Sequence, residues 1–93
     1  MEEGNKLIIT VLGYDRIGII FNISSILAEA KINILDINQT ILQGFFTMAM
    51  VVDMSQSTLD IYTLREKLKA KGKELGLEIT AQHEDIFRFM HRI

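Results

Sequence analysis

The stretch "KLIITVLGYDRIGII", residues 6 to 20, changes its hydrophobic period halfway along, and the fold turns on that change. From Lys6 to Leu12 the chain is apolar at Leu7, Ile8, Ile9, Val11 and Leu12, mostly with β-branched side chains. Apolar residues at neighbouring positions leave neither face for water, so this run reads as a central strand. From Ile17 the period is helical. Ile19, Ile20, Ile23, Ile26, Leu27 and Ala30 share one side, with Asn22, Ser25 and Glu29 on the other. Gly13 and Gly18 bracket the join. Glycine at a change of chain direction marks a turn that other residues resist, or a place where something approaches the backbone.

Working outward, "INILDINQTIL" (32–42) is a second strand with Leu35, Ile37 and Ile41 on one side and Asp36, Asn38 and Thr40 on the other. Gln39 interrupts its apolar side, which predicts a bulge or an exposed strand end there. Gln43 and Gly44 read as a hairpin turn. The run "FFTMAMVVDM" alternates bulky Phe46, Met48, Met50 and Val52 with smaller Thr47, Ala49 and Val51. Ser57 with Asp60 resembles a capping box, opening a helix striped by Ile61, Leu64, Leu68 and Leu75 and stopped by Gly76. Asp60 early and Lys67, Lys69, Lys71 and Lys73 late match the helix dipole. Gly72 inside this helix costs about 1 kcal/mol against alanine, which close packing on the sheet would explain. "LEITAQH" alternates as a last strand, and "EDIFRFMHRI" places Ile86, Phe89, Met90 and Ile93 at helical spacing.

The expected order is therefore β-α-β-β-α-β with a short C-terminal helix. This is an α+β, ferredoxin-like arrangement: an antiparallel sheet with both helices on one face. Its 93 residues suit a single domain, 1–93, with a core over 6–83 and a helical tail over 84–93. A chain of this size buries only roughly 60–70% of its unfolded surface, which favours self-association.

Composition narrows the function. Cysteine is absent, which removes disulfides, iron–sulfur clusters and thiolate catalysis. A net charge of −2 gives no general attraction to nucleic acid or anionic membrane. The acidic start "MEEGNK" is unlike a secretory signal, and no apolar run nears the roughly 20 residues of a membrane helix. The expectation is a cytoplasmic protein without nucleic-acid or membrane partners.

Several chemistries compete at the glycine loop. A phosphate loop needs a lysine and a hydroxyl that "GYDRIG" lacks. Acylphosphatases share the strand order and hold phosphate with a loop arginine; Arg16 with Asn38 would play that part, but the glycine-valine-glycine loop of that family is missing. RNA-recognition motifs stack bases on strand aromatics, and here the first strand has none. Ser24 and Ser25 lie within a helix without a neighbouring base. His83, Glu84 and Asp85 suit a helix start better than a metal site, since adjacent side chains diverge. Met48, Met50 and Met54 read as core. The expectation is no enzyme, no metal and no cofactor.

The stretch "DRIGIIFNISSILAEAKINILD" resembles the ACT domain, a module that binds amino acids and other small ligands in metabolic regulation, and the likeness extends over nearly the whole chain. It rests on an acid and a base before a glycine and an aliphatic residue, on the helical aliphatics, and on an Ala-Glu step running into Ile32-Asn33-Ile34. It is strongest to the ACT modules of glycine-cleavage repressors and formyltetrahydrofolate deformylases, and to small stand-alone ACT proteins, whose tails resemble "QHEDIF" and "MHRI". The resemblance implies a ligand site at Asp15, Arg16, Gly18 and Ile19, completed by Asn33 and Ile34 from a neighbouring subunit. Gly18 would admit a ligand to the free N–H groups of the first helix, whose positive end favours a carboxylate. Asp15, where many members have asparagine, would accept an ammonium group. The plain alternative is that Asp15 only caps the first helix and Arg16 is solvated. Gly13 stands where some members place a polar or histidine contact, and Lys31 where the family usually ends helix 1 with glycine. The implied function is a homodimeric regulatory module for a small molecule, with an amino acid expected. It would act on a metabolic enzyme or regulator through a possible protein partner. A ligand-free dimerisation module is the alternative, and an acylphosphatase-like enzyme the less favoured one.

Overall fold

The computed structural model describes residues 5–85. Six elements occur in the expected order: β1 (Lys6–Tyr14), α1 (Ile19–Glu29), β2 (Asn33–Leu42), β3 (Phe45–Asp53), α2 (Ile61–Leu75) and β4 (Leu77–His83). The four strands form one antiparallel sheet in the order β2-β3-β1-β4. This is the ferredoxin-like fold. β1 is central, as its two-sided apolar run requires, while β2 and β4 are the edges.

Register determines which side chains share a face. Leu7, Ile9 and Val11 of β1 stand beside Val52, Met50 and Met48 of β3, and all are buried beneath the helices. Ile19, Ile23 and Leu27 of α1 and Leu64 and Leu68 of α2 close the same core from above. The larger alternating residues of β3 point inward and Thr47, Ala49 and Val51 outward, in keeping with their sizes. Gln43 and Gly44 carry positive φ values of 51° and 85°, which suit the tight turn joining β2 to β3.

Three local expectations change. The register shift of β2 falls between Ile34 and Asp36, at Leu35, and Gln39 pairs regularly with Met48. A bulge here turns the strand just after its first two residues. Ser57 is not the cap of α2. Its hydroxyl bonds the Leu59 backbone, while Asp60 is the N-cap and accepts the Thr63 N–H at 2.8 Å. The capping acceptor must lie immediately before the first helical residue, and Ser57 lies three residues too early. Ile17 is fully exposed, since α1 begins only at Ile19.

Gly72 is buried, and a Cβ on it would lie 2.7 Å from the Leu77 carbonyl oxygen. Glycine is there because α2 approaches β4 more closely than a methyl group allows. Lys31 adopts φ 61° where α1 ends, in the left-handed turn that glycine occupies more cheaply. Glu84 and Asp85 begin a helical turn after β4. The remainder of the expected C-terminal helix, 86–93, lies outside the described residues.

Candidate functional site

The loop between β1 and α1 is held on two sides. On one, the Asp15 N–H donates to the Gly44 carbonyl at 2.8 Å, tying the loop to the β2–β3 turn. On the other, Arg16 Nη1 donates to the Leu75 carbonyl at 2.8 Å, tying it to the last turn of α2. Arg16 is therefore engaged rather than simply solvated. Gly13 fits the same junction. A Cβ there would meet Leu77 Cδ2 at 2.6 Å and the Gly76 carbonyl at 3.1 Å. A side chain at this position would have to displace the Leu77 side chain and would crowd the Gly76 carbonyl.

Gly18 is the N-cap of α1, at φ 90° and ψ 3°, and no side chain caps the helix. Asp15 thus does not cap α1, and its carboxylate is exposed. Asn22 takes up the nearby polar group. Its backbone N–H donates to the Gly18 carbonyl at 2.9 Å, and its Nδ2 donates to the same oxygen at 2.7 Å. Helical period alone puts Asn22 on the solvent side and misses this role. The signal that could have found it is its position four residues after the glycine, where the first helical bond must close. The N–H groups of Ile19, Ile20 and Phe21 precede that first bond and have no intrahelical acceptor. They form the positive end of α1 beside an exposed carboxylate, a pairing suited to a zwitterion. Ile19 is buried in the core, so it can offer a ligand only its backbone.

Asn33 and Ile34 are elsewhere. Asn33 stands beside Asp53, which stands beside Lys6 at the opposite end of β1 from Asp15. Nine residue steps at about 3.4 Å put the two halves of the expected site roughly 30 Å apart in one chain. Asp15, Arg16, Gly18 and Ile19 come together; Asn33 and Ile34 do not join them within the protomer. Asn38, in turn, stands level with Ala49 and Thr10, five steps or roughly 17 Å short of Asp15. Arg16 and Asn38 do not converge on one anion.

The two sheet edges differ in finish. At β4 the Arg65 Nε donates to the Ala81 carbonyl at 2.8 Å, and α2 lies close against Leu77, so this edge is guarded from the helix side. Along β2, Leu35, Ile37, Ile41 and Leu42 are all exposed, as are Ile17, Ile20 and Phe21 at the start of α1. Among the described residues, no three His, Cys, Asp or Glu side chains come together as a metal site would need. No helix among them is long and apolar enough to cross a membrane.

Comparison with known proteins bears on the fold and the family. The model of the ACT domain matches residues 5–82. A UPF0237 protein of Methanocaldococcus jannaschii is 48% identical over 89 residues, covering 96% of this chain and 99% of its own. An ACT domain protein from Streptococcus pneumoniae superposes with a TM-score of 0.76 at 43% identity, over 88% of this chain and 92% of that one. A putative glycine cleavage system transcriptional repressor gives 0.72 at 28% identity, over 84% of this chain and 44% of its own.

Proposed function

This chain belongs to the ACT domain family, a small-molecule-binding regulatory fold, and on that premise we propose that it is a homodimeric sensor of an α-amino acid. The observation that carries the reading is the division of the candidate residues between opposite ends of the sheet. A twofold axis joining β2 to β2 antiparallel would set the start of the partner's strand beside the end of this one. The end of β2 adjoins the Gly44 turn, to which the Asp15 loop is tied. Pairing at β2 therefore brings the partner's Asn33 and Ile34 towards Asp15 and Gly18. It also covers the apolar side chains left exposed on β2 and α1, whereas the β4 edge is already guarded.

In this site the amides of Ile19, Ile20 and Phe21 hold the carboxylate, and Asp15 accepts from the ammonium group. Asn22 fixes the Gly18 turn, and Arg16 holds the loop in place through Leu75. Nothing here requires a nucleophile or a cofactor; the module acts in a cytoplasmic setting by changing its surface for a partner enzyme or regulator. A second reading, dimerisation without any ligand, is favoured by the exposed apolar strip itself. A thermal-shift screen against the twenty amino acids separates the two. Sensing predicts that one or a few raise the melting temperature, since ligand at 100 times Kd stabilises by about 2.7 kcal/mol. No response from a dimeric protein would leave dimerisation as its role.

A further inference from the structure

We propose that the helix-free face of the sheet is the docking surface for residues 86–93 of the same chain. Both helices lie on the other face, so among the described residues nothing covers this one. Its two central strands present Ile8, Thr10, Leu12 and Tyr14 beside Val51, Ala49, Thr47 and Phe45. Between the Lys6–Asp53 pair at one end and the stacked Tyr14 and Phe45 rings at the other, neither strand places a charge on this face. Thr10 spends its hydroxyl within the sheet, on the Thr80 hydroxyl of β4. A sheet face meant for water alternates polar residues there.

The occupant is identified by sequence, attachment and size. Residues 86–93 read "IFRFMHRI": Ile86, Phe87, Phe89, Met90 and Ile93 with Arg88, His91 and Arg92. They come after β4 with only Glu84 and Asp85 between, and the strand's last outward-facing residue, Gln82, stands beside Ile8. β4 thus ends beside the Ile8 end of the uncharged face. Besides the Lys6–Asp53 pair, which is neutral in sum, the charges flanking that face are Asp36 on β2 and Glu78 on β4, acidic against a basic segment. The face measures about 14 Å across four strands and about 20 Å along them, roughly 280 Å². Eight residues can cover that. Two copies stacked through it would set acid flanks against acid flanks, whereas the basic segment meets them with opposite charge. The recess by His83, lined by Asn5, Leu7, Met54, Leu59, Asp60 and Ile61, holds about 250 Å³ and is too small for five large apolar side chains.

The chain has no cysteine, so introduced pairs report proximity cleanly. In the full chain, Ala49→Cys or Val51→Cys is combined with Phe87→Cys or Met90→Cys and oxidised mildly. At least one of the four pairs is expected to close an intramolecular disulfide in most molecules. Failure of all four overturns the proposal. So does a cross-link between chains bearing Ala49→Cys alone, which would mean a second copy sits there, or closure of Ile61→Cys with Met90→Cys instead, which would put the segment at the recess. Independently, Ala49→Arg in the full chain should speed tryptic cleavage after Arg88 at least tenfold, and an unchanged rate contradicts the docking.

Discussion

Single atoms decide several features of this protein. Gly72 is the sharpest case. Alanine would gain about 1 kcal/mol of helix propensity, yet its Cβ would press on the Leu77 carbonyl, a backbone group that cannot swing aside. Overpacking of this kind costs roughly 1–3 kcal/mol, so Gly72→Ala is expected to lower the urea midpoint despite the better propensity. A raised midpoint would show that α2 can simply lift. Asp60 gives a pH signature. The Thr63 hydroxyl and amide hold its carboxyl below the ordinary value of 3.8. A depressed folded pKa stabilises above the unfolded pKa, and the gain is lost as pH falls through the folded one. The melting temperature of Asp60→Ala should therefore trail the native protein by most at neutral pH, and the gap should close below about pH 4. A gap independent of pH would mean the loss is not that of the charged cap. Legibility at this scale is mixed. A buried helix glycine announces a close approach, and Gly72 is readable. Ser57, Asp15 and Arg16 are not, because which acceptor meets which donor depends on where a helix begins and on what a distant turn presents.

At the level of elements, hydrophobic period carries most of the information. β1 can be placed at the centre because both its faces are apolar, and β3 because its large and small residues alternate. The bulge of β2 is displaced from Gln39 to Leu35, since a polar residue on an edge strand is no defect when that side is half open. The contrast between the edges is what the proposed association through β2 rests on. Ile37→Lys with Ile41→Lys puts four cations along a twofold β2 seam, and repulsion should weaken dimerisation by roughly tenfold or more, about 1.4 kcal/mol per decade. Both positions are already exposed, so the protomer itself should stay folded. Sedimentation equilibrium would show it, with Arg65→Ala as the comparison that leaves the dimer intact. If Arg65→Ala dissociates the protein and the lysines do not, the seam lies at β4.

For the whole molecule, fold and site are legible to different depths for one physical reason. The fold is written in local period and turn chemistry, which a single chain contains in full. The proposed site is shared. Asp15 and Gly18 stand at one end of the sheet and Asn33 at the other, so no reading confined to one protomer joins them. In the proposed dimer a twofold axis would unite them. That union is tested by complementation, using whichever amino acid raises the melting temperature. Asp15→Ala and Asn33→Ala homodimers should each bind weakly. In a heterodimer purified through two different tags, one site carries both lesions and the other carries neither. Isothermal titration should then return one site per dimer, half the native capacity, at near-native affinity. Two weak sites, or none, would show that Asp15 and Asn33 do not meet across the dimer.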